Sequence, residues 1–464
     1  MCLVTSSNLS IGPPVKYSWL GIKMFLKLFK QLRSILLGEK MNTLRFLGAC
    51  REVGRSGVLL ETGSEKILIE YGIKLKTPEE GGEPKYPRKV GTDLDGILLT
   101  HAHLDHSGFI PSLYHQGYKG YVYSTATTFD LSHILWKDTV KLARLKNHTM
   151  HFFNSDLNRM KRFEHRVTYG QQFEIENCTV EVHDAGHIPG SASLLIDTGE
   201  KRVLYTGDIR TTDTQLLKGR IPNFRDVDVL IIESTYSDRI HPPREEQERE
   251  LADRVRETLD MNGIVLLPAF AVGRSQEVLM ILDKYNIDAP IYLDGMAIEA
   301  TEIVLKYPEF LRDPKRLERM YSRVKKLRSN KERKKATEHS SVIVTTSGML
   351  EGGPIAYYIE RLYDRKDVSI ILTGYQVKGT VGEILLRTGR YKKENLNLKV
   401  NCFYEKLDLS AHAGRDELFD YVKTVDPEKV YVVHGENCEG FAAELKDGLG
   451  YEAYAPKAGQ LFEL

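Results

Sequence analysis

The stretch "LLTHAHLDHSG", residues 98–108, sets three histidines and an aspartate within six positions, behind an apolar run and ahead of a glycine. Neutral imidazole and carboxylate are ligands for a borderline divalent cation such as zinc, and catalytic zinc sites keep a position open for water. In the pattern HxHxDH, His101 and His103 alternate and can point one way while the loop turns Asp105 and His106 elsewhere, so one short loop can serve two ions. The run "DGILLT" before it reads as a short buried strand, which places the cluster on a loop at a strand's end. Such loops are where a rigid scaffold carries ligands.

Four groups do not complete two ions, and the same design recurs downstream. "CTVEVHDAGH", "RVLYTGD", "DVLIIEST" and "KVYVVHGE" are apolar strands that deliver His187, Asp208, Glu233 and His434 at or near their carboxyl ends. Of these, His187, Asp208 and His434 are the missing ligands. An isolated histidine is more often structural or solvated, and His115, His183 and His241 are read that way.

At 464 residues the chain has room for two to three domains. With 41% hydrophobic and 28% charged residues it falls in the soluble globular range. A net charge of +1 leaves any nucleic-acid binding to local basic patches. The five cysteines, Cys2, Cys50, Cys178, Cys402 and Cys438, are odd in number and free of CxxC spacing. That argues against a disulfide framework or a thiolate zinc site and for a reducing, cytoplasmic setting.

Residues 1–40 read as an N-terminal extension. Within it, "WLGIKMFLKLFKQLRSILLG" (19–38) carries Lys23, Lys27, Lys30 and Arg33 at helical spacing. This is a basic amphipathic helix suited to a membrane surface or a partner, not a stably inserted span, and it lacks a signal-peptide cleavage site. The alternative is that Met41 is the natural start, since strand-like alternation begins there at once.

Residues 41–239 are β-rich. Between 240 and 395, strands such as "GIVLLPAFA", "PIYLDG", "SVIVTTSG" and "DVSIILTGY" alternate with helical stretches, the signature of a parallel α/β sheet. Residues 396–464 return to the first style and deliver His412 in "SAHAG" and His434. The expectation is an α/β domain inserted into a discontinuous one.

Taken together, THAHLDHSG, GHIPGSAS, YTGD, IIESTY, SAHAG and VVHGE resemble the metallo-β-lactamase fold in its β-CASP branch of nucleases, over residues 41–464. "PAFAVGRSQEV", "TTSGMLEGGP" and "GYQVKGT" are similar to the subgroup of the cleavage and polyadenylation specificity factor endonuclease and its archaeal relatives, in a minimal form without KH domains. The resemblance implies an αββα sandwich with an inserted β-CASP domain. It implies two zinc ions, one held by His101, His103 and His187, the other by Asp105, His106 and His434, with Asp208 and a hydroxide between them. It also implies His412 as general acid, Glu233 as the carboxylate that orients or charges it, and Asp105 as a catalytic group as well as a ligand. Where the family usually has aspartate, "ILIEYGIK" offers Glu70, expected to orient a ligand histidine.

The substrate implied is RNA, single-stranded, because His434 matches the RNA-processing branch. A 5′–3′ exoribonuclease of RNase J type or a DNA-acting member of the family are the alternatives. The resemblance also allows a homodimer and membership of an RNA-processing complex. The basic run "SRVKKLRSNKERKK" (322–335) reads equally as phosphate contacts or as a solvated helix face. Arg274 in "AVGRSQ" and the loop of Ser347 and Gly348 in "SGMLEGGP" stand at expected helix starts, where a guanidinium or backbone N–H groups can hold a phosphate; a structural salt bridge and a mere turn are the alternatives. Two other readings are a small-molecule hydrolase, disfavoured by the insert, and a non-catalytic scaffold, disfavoured by the filled ligand positions.

Overall fold

The computed structural model describes residues 42–76, 80–393 and 395–464. The expected helix at 19–38 and the alternative start at Met41 lie outside the described residues.

Two seven-stranded sheets face each other. One runs Leu461–Glu463, Thr43–Gly48, Gly57–Glu61, Lys66–Ile69, Gly96–Leu98, Val122–Thr125 and Glu164–Val167 in spatial order; the other runs Glu452–Tyr454, Lys429–Val433, Val229–Glu233, Arg202–Tyr205, Ala192–Asp197, Cys178–Asp184 and Gln172–Ile175. The alternation of one strand shows why they pack so. In Val229–Glu233, Val229 and Ile231 enter the core between the sheets, while Leu230 and Ile232 enter a second core under the helices Arg415–Val425 and Cys438–Leu449. Period-two alternation with both faces covered gives a continuous apolar run. Each such side chain contributes about 1.5–3 kcal/mol on burial. The helix Ala126–Leu145 covers the first sheet in the same way through Phe129, Trp136 and Val140. The result is the expected αββα sandwich.

The inserted domain holds a six-stranded parallel sheet in the order Lys325–Leu327, Ile291–Asp294, Ser341–Thr345, Ile264–Pro268, Val368–Leu372 and Phe403–Lys406. Apolar cores cover both its faces. The return to the sandwich was expected at residue 396, but the strand Phe403–Lys406 pairs in parallel with Ser369–Leu372 and extends the inserted sheet. The chain re-enters the sandwich only after Lys406. A short apolar strand carries no signal of which sheet it will join, so pairing partner rather than local pattern sets that boundary.

The two domains share an apolar core. Ala102, Leu131, Ile188 and Leu216 of the sandwich meet Val272, Met280, Ile303 and Leu317 of the insert. Beside it Glu277 accepts the N–H groups of Gln215 and Leu216 at 3.0 and 2.7 Å and also pairs with Arg244. The carboxyl ends of strands from both domains therefore open on one fixed cleft, as is usual for ligand sites in parallel sheets.

Candidate metal centre and cleft

Each candidate ligand stands just past a strand. His101 and His103 follow Gly96–Leu98, and Asp105 and His106 lie in the single helical turn Leu104–Ser107. The turn folds back against Gly72, where an added Cβ would lie 1.8 Å from the Asp105 carbonyl oxygen. His187 follows Cys178–Asp184, Asp208 follows Arg202–Tyr205, and His434 follows Lys429–Val433. Glu70 and His434 hold φ of +59° and +52°, a conformation uncommon for side chains of this size and concentrated at functional sites.

The other six side chains gather around Asp208. Its Oδ2 lies 3.4 Å from His101 Nε2, 3.3 Å from His106 Nε2 and 3.6 Å from His187 Nε2; its Oδ1 lies 3.4 Å from His434 Nδ1. Asp105 Oδ2 is 3.2 Å from His434 Nε2. Among the described residues four groupings have candidate ligand atoms close enough to share an ion: His101, His103, His187 and Asp208; Asp105, His106 and His434; Glu70, His101 and His106; and Asp208, Glu233 and His412.

The fit to cations can be read from the atoms left without partners. His101 Nε2, His103 Nε2, His106 Nε2 and Asp208 Oδ1 are buried and have no hydrogen-bond partner. The opposite nitrogens of His101 and His106 are anchored, His101 Nδ1 to Thr100 Oγ1 at 3.0 Å and His106 Nδ1 to Glu70 at 2.8 Å; His187 is held at Nδ1 by the Ala411 carbonyl at 3.0 Å, and its Nε2 lies 3.2 Å from His103 Nδ1. Such pairing of one nitrogen fixes the tautomer that leaves the other free for a metal. Buried polar atoms left bare are costly, and several converging on one aspartate suit bound cations. Burial holds the imidazoles of His101 and His187 well below their ordinary pKa, and His103 at about 4, so all three are neutral ligands. Burial also pulls His106 down, but the carboxylates of Asp208, Glu70 and Asp105 outweigh it and hold it well above.

Glu70 is wholly buried. It accepts from Thr100 Oγ1 and, at 2.6 Å, from Tyr205 OH, besides holding His106. On the other side of Asp208, His412 Nδ1 lies 3.1 Å from both oxygens of Glu233 and 3.9 Å from Asp208 Oδ2. Burial lowers the His412 pKa, but Glu233 and Asp208 overcome it and keep it above the ordinary value. The segment carrying His412 is tied at three successive carbonyls: Ser410 accepts from Arg244 at 3.0 Å, Ala411 from His187, and His412 from Arg210 at 2.7 Å. Thr100, Tyr205, Arg210 and Arg244 were missed in the sequence, where no local signal sets them apart.

The centre opens on a cavity of about 310 Å³ lined by His103, Asp105, His187, Asp208, His412 and His434 on one side and by loops of the insert on the other. Arg274 lies on that wall, at the first residue of the helix Arg274–Lys284. It is buried, its Nε has no partner, and burial with the nearby Arg244 lowers its pKa to about 10. Met349 and Glu351 represent the "SGMLEGGP" loop in the lining. The Ser347 N–H is turned into that loop, donating to Gly352 at 3.3 Å, while the Gly348 backbone stands against Phe270. Of the three isolated histidines, His115 pairs with Asp156 at 3.0 Å, His241 with Asp408 at 2.9 Å and His183 with Glu181 at 3.3 Å. In the basic run, Arg333 is held by the buried Asp294 and Arg328 pairs with Glu302.

The chain matches the Metallo-beta-lactamase superfamily domain over residues 59–227, the Beta-Casp domain over 275–385 and the Zn-dependent metallo-hydrolase RNA specificity domain over 397–456. It is 39% identical to "Probable RNase MJ4" of Methanocaldococcus jannaschii over 89% of this chain and 98% of that protein. It is 36% identical to "RNase aCSPSF2" of Saccharolobus solfataricus, covering 91% and 85%, and 37% identical to "Transcription termination factor FttA" of Methanocaldococcus jannaschii, covering 91% and 72%. A crystal structure of a protein of unknown function from Enterococcus faecalis shares the fold, with a TM-score of 0.56 at 14% identity over 92% of this chain and 100% of that one. With the ligand geometry and these relatives in agreement, the chain belongs to the β-CASP branch of the metallo-β-lactamase superfamily, beside the archaeal ribonucleases of cleavage-factor type, and is a metal-dependent hydrolase.

Proposed function

We propose that this protein hydrolyses phosphodiester bonds of single-stranded RNA at a centre of two zinc ions, in RNA processing or decay in the cytoplasm. The observation that carries the reading is the convergence of bare imidazole nitrogens on Asp208 with a separate Glu233–His412 pair 3.9 Å away. His101, His103 and His187 would hold one ion, Asp105, His106 and His434 the other, and Asp208 would touch both. Zinc held by these residues would lower the pKa of a bound water to about 7 and offset the charge of the phosphate.

The chain's own residues supply the rest. Protonated His412 gives its proton to the leaving oxygen, and Glu233 on Nδ1 keeps it charged and oriented. Asp105 holds its carboxylate beside His434, and Arg274 places a cation on the opposite wall, where it meets a phosphate oxygen. The shared apolar core and the ties on Ser410, Ala411 and His412 keep acid and ligands in register.

Purified protein loaded with zinc is expected to cut single-stranded RNA. Asp208→Ala should lower zinc content and activity to background, and His412→Ala should retain zinc and lose about 10²- to 10⁴-fold in rate. Comparison of 5′- and 3′-labelled substrates separates internal cutting from stepwise release of mononucleotides. Turnover of a thioester without action on RNA would overturn the proposal.

A further inference from the structure

Apart from Arg274 and Glu351, the wall opposite the candidate metal ligands is largely apolar, and one residue on it has a construction that packing does not explain. Phe270, in the loop after Ile264–Pro268, is half-buried, lines the cavity, and belongs to none of the apolar cores among the described residues. Its ring centroid lies 6.5 Å from that of His103. Its carbonyl is pinned by Ser275, whose Oγ donates at 2.7 Å and whose N–H donates at 3.1 Å.

The Cδ2–Cε2 edge of the ring lies against two glycines. A Cβ on Gly374 would stand 3.2 Å from Phe270 Cε2, and one on Gly348 would stand 3.0 Å from the Phe270 nitrogen and 3.4 Å from Cδ2. Neither glycine has a positive φ, so backbone conformation does not call for glycine at either place. Close approach does, of the ring edge at Gly374 and chiefly of the Ala269–Phe270 backbone at Gly348. Tyr375, next to Gly374, adds a second half-buried ring to the same wall and meets Tyr236 edge-on at 5.4 Å.

We infer that Phe270 is a nucleobase platform: its cavity-side face stacks the base of a nucleotide flanking the scissile phosphate, and so selects unpaired RNA. This rests on the ribonuclease reading above. A phosphodiester lying over Asp208 carries bases on both sides, and where Arg274 on this wall can meet a phosphate, the aromatic part of the wall at Phe270 and Tyr375 can take a base face. Stacking on an aromatic side chain is indifferent to base identity, because every base presents a π face. It requires the base to be unstacked from its own strand, which a duplex resists.

The test uses the zinc-loaded protein and RNA oligonucleotides with a single abasic nucleotide at each position around the mapped cut. For wild type, kcat/KM is expected to fall about 5- to 150-fold when the base at one flanking position is missing, the range of a lost base–aromatic stack. Phe270→Leu keeps apolar volume without the ring face and should shrink that ratio toward one, with a thermal transition like wild type; Phe270→Trp should keep it. An intact-to-abasic ratio that stays the same in Phe270→Leu and Phe270→Ala overturns the inference while leaving the ribonuclease reading in place. If wild type cuts none of the oligonucleotides, that reading falls and the inference with it.

Discussion

Glu70 and Glu233 are two buried carboxylates, 0% and 1% exposed, each bound to the Nδ1 of a histidine beside the same Asp208. The pairs are chemically alike and differ in where the histidine's other edge lies. The His106 side chain is 1% exposed, with Nε2 3.3 Å from Asp208 in the closed floor of the site; that of His412 is 17% exposed and lines the cavity. A carboxylate behind a sealed imidazole strengthens a metal ligand. The same carboxylate behind an imidazole open to substrate raises a proton donor. Under the proposed mechanism one motif does two jobs, and access to the cleft decides which.

Removing the charge from the open pair tests that division most severely. Glu233→Gln leaves burial in place but takes away the carboxylate that outweighs it, so the His412 pKa drops. A general acid must be protonated, so activity is lost as pH rises through its pKa. The alkaline limb of kcat should therefore move to lower pH in the variant, and kcat near pH 8 should fall by about 10²-fold, toward the loss of the acid itself. Zinc content should hold. A limb that stays where it is, with zinc lost instead, would put Glu233 on the metal side of the comparison.

The closed pair should respond in the opposite way. Glu70→Gln is expected to weaken zinc binding by about 10- to 100-fold, as loss of a ligand's orienting partner does. With saturating zinc its pH limb should match that of wild type. Titration with a competing chelator measures the first and a pH–rate profile the second. Glu70→Asp would show whether the longer side chain is needed to reach His106 from the positive-φ backbone at this position.

How much of this was legible depends on whether the signal was local. The seven candidate ligand positions follow four apolar runs, and an apolar run with polar residues past its carboxyl end can be read within about ten residues. Glu233 and His412 are 179 apart in sequence, and only the resemblance joined them. Tyr205 and Thr100 reach Glu70 across 135 and 30 positions, and Arg244 reaches Ser410 across 166; nothing near these residues announces the contact. The "SGMLEGGP" glycines read either as a phosphate-binding loop or as a mere turn. Pro354 has no N–H, Ile355 N–H donates to Thr346 at 3.0 Å, and Gly348 packs against the Ala269–Phe270 backbone. A glycine kept for close approach looks the same in a sequence as one kept for a turn.

The mildest change sharpens the comparison furthest. Tyr205 OH donates to Glu70 Oε2 at 2.6 Å, the oxygen that also holds His106 Nδ1 at 2.8 Å. Tyr205 is buried, 3% exposed, and its ring packs in the core between the sheets, so Tyr205→Phe removes one hydrogen bond and little packing. A hydrogen bond to a charged acceptor contributes about 1.5–3 kcal/mol. Two donors, Thr100 and His106, remain on Glu70 and share the loss. The variant should therefore bind zinc only a fewfold more weakly than wild type, less than the change in Glu70→Gln, and keep the alkaline limb of its pH–rate profile. If Tyr205→Phe instead moved that limb, the two carboxylates would be coupled through Asp208, and the division of labour between the pairs would fail.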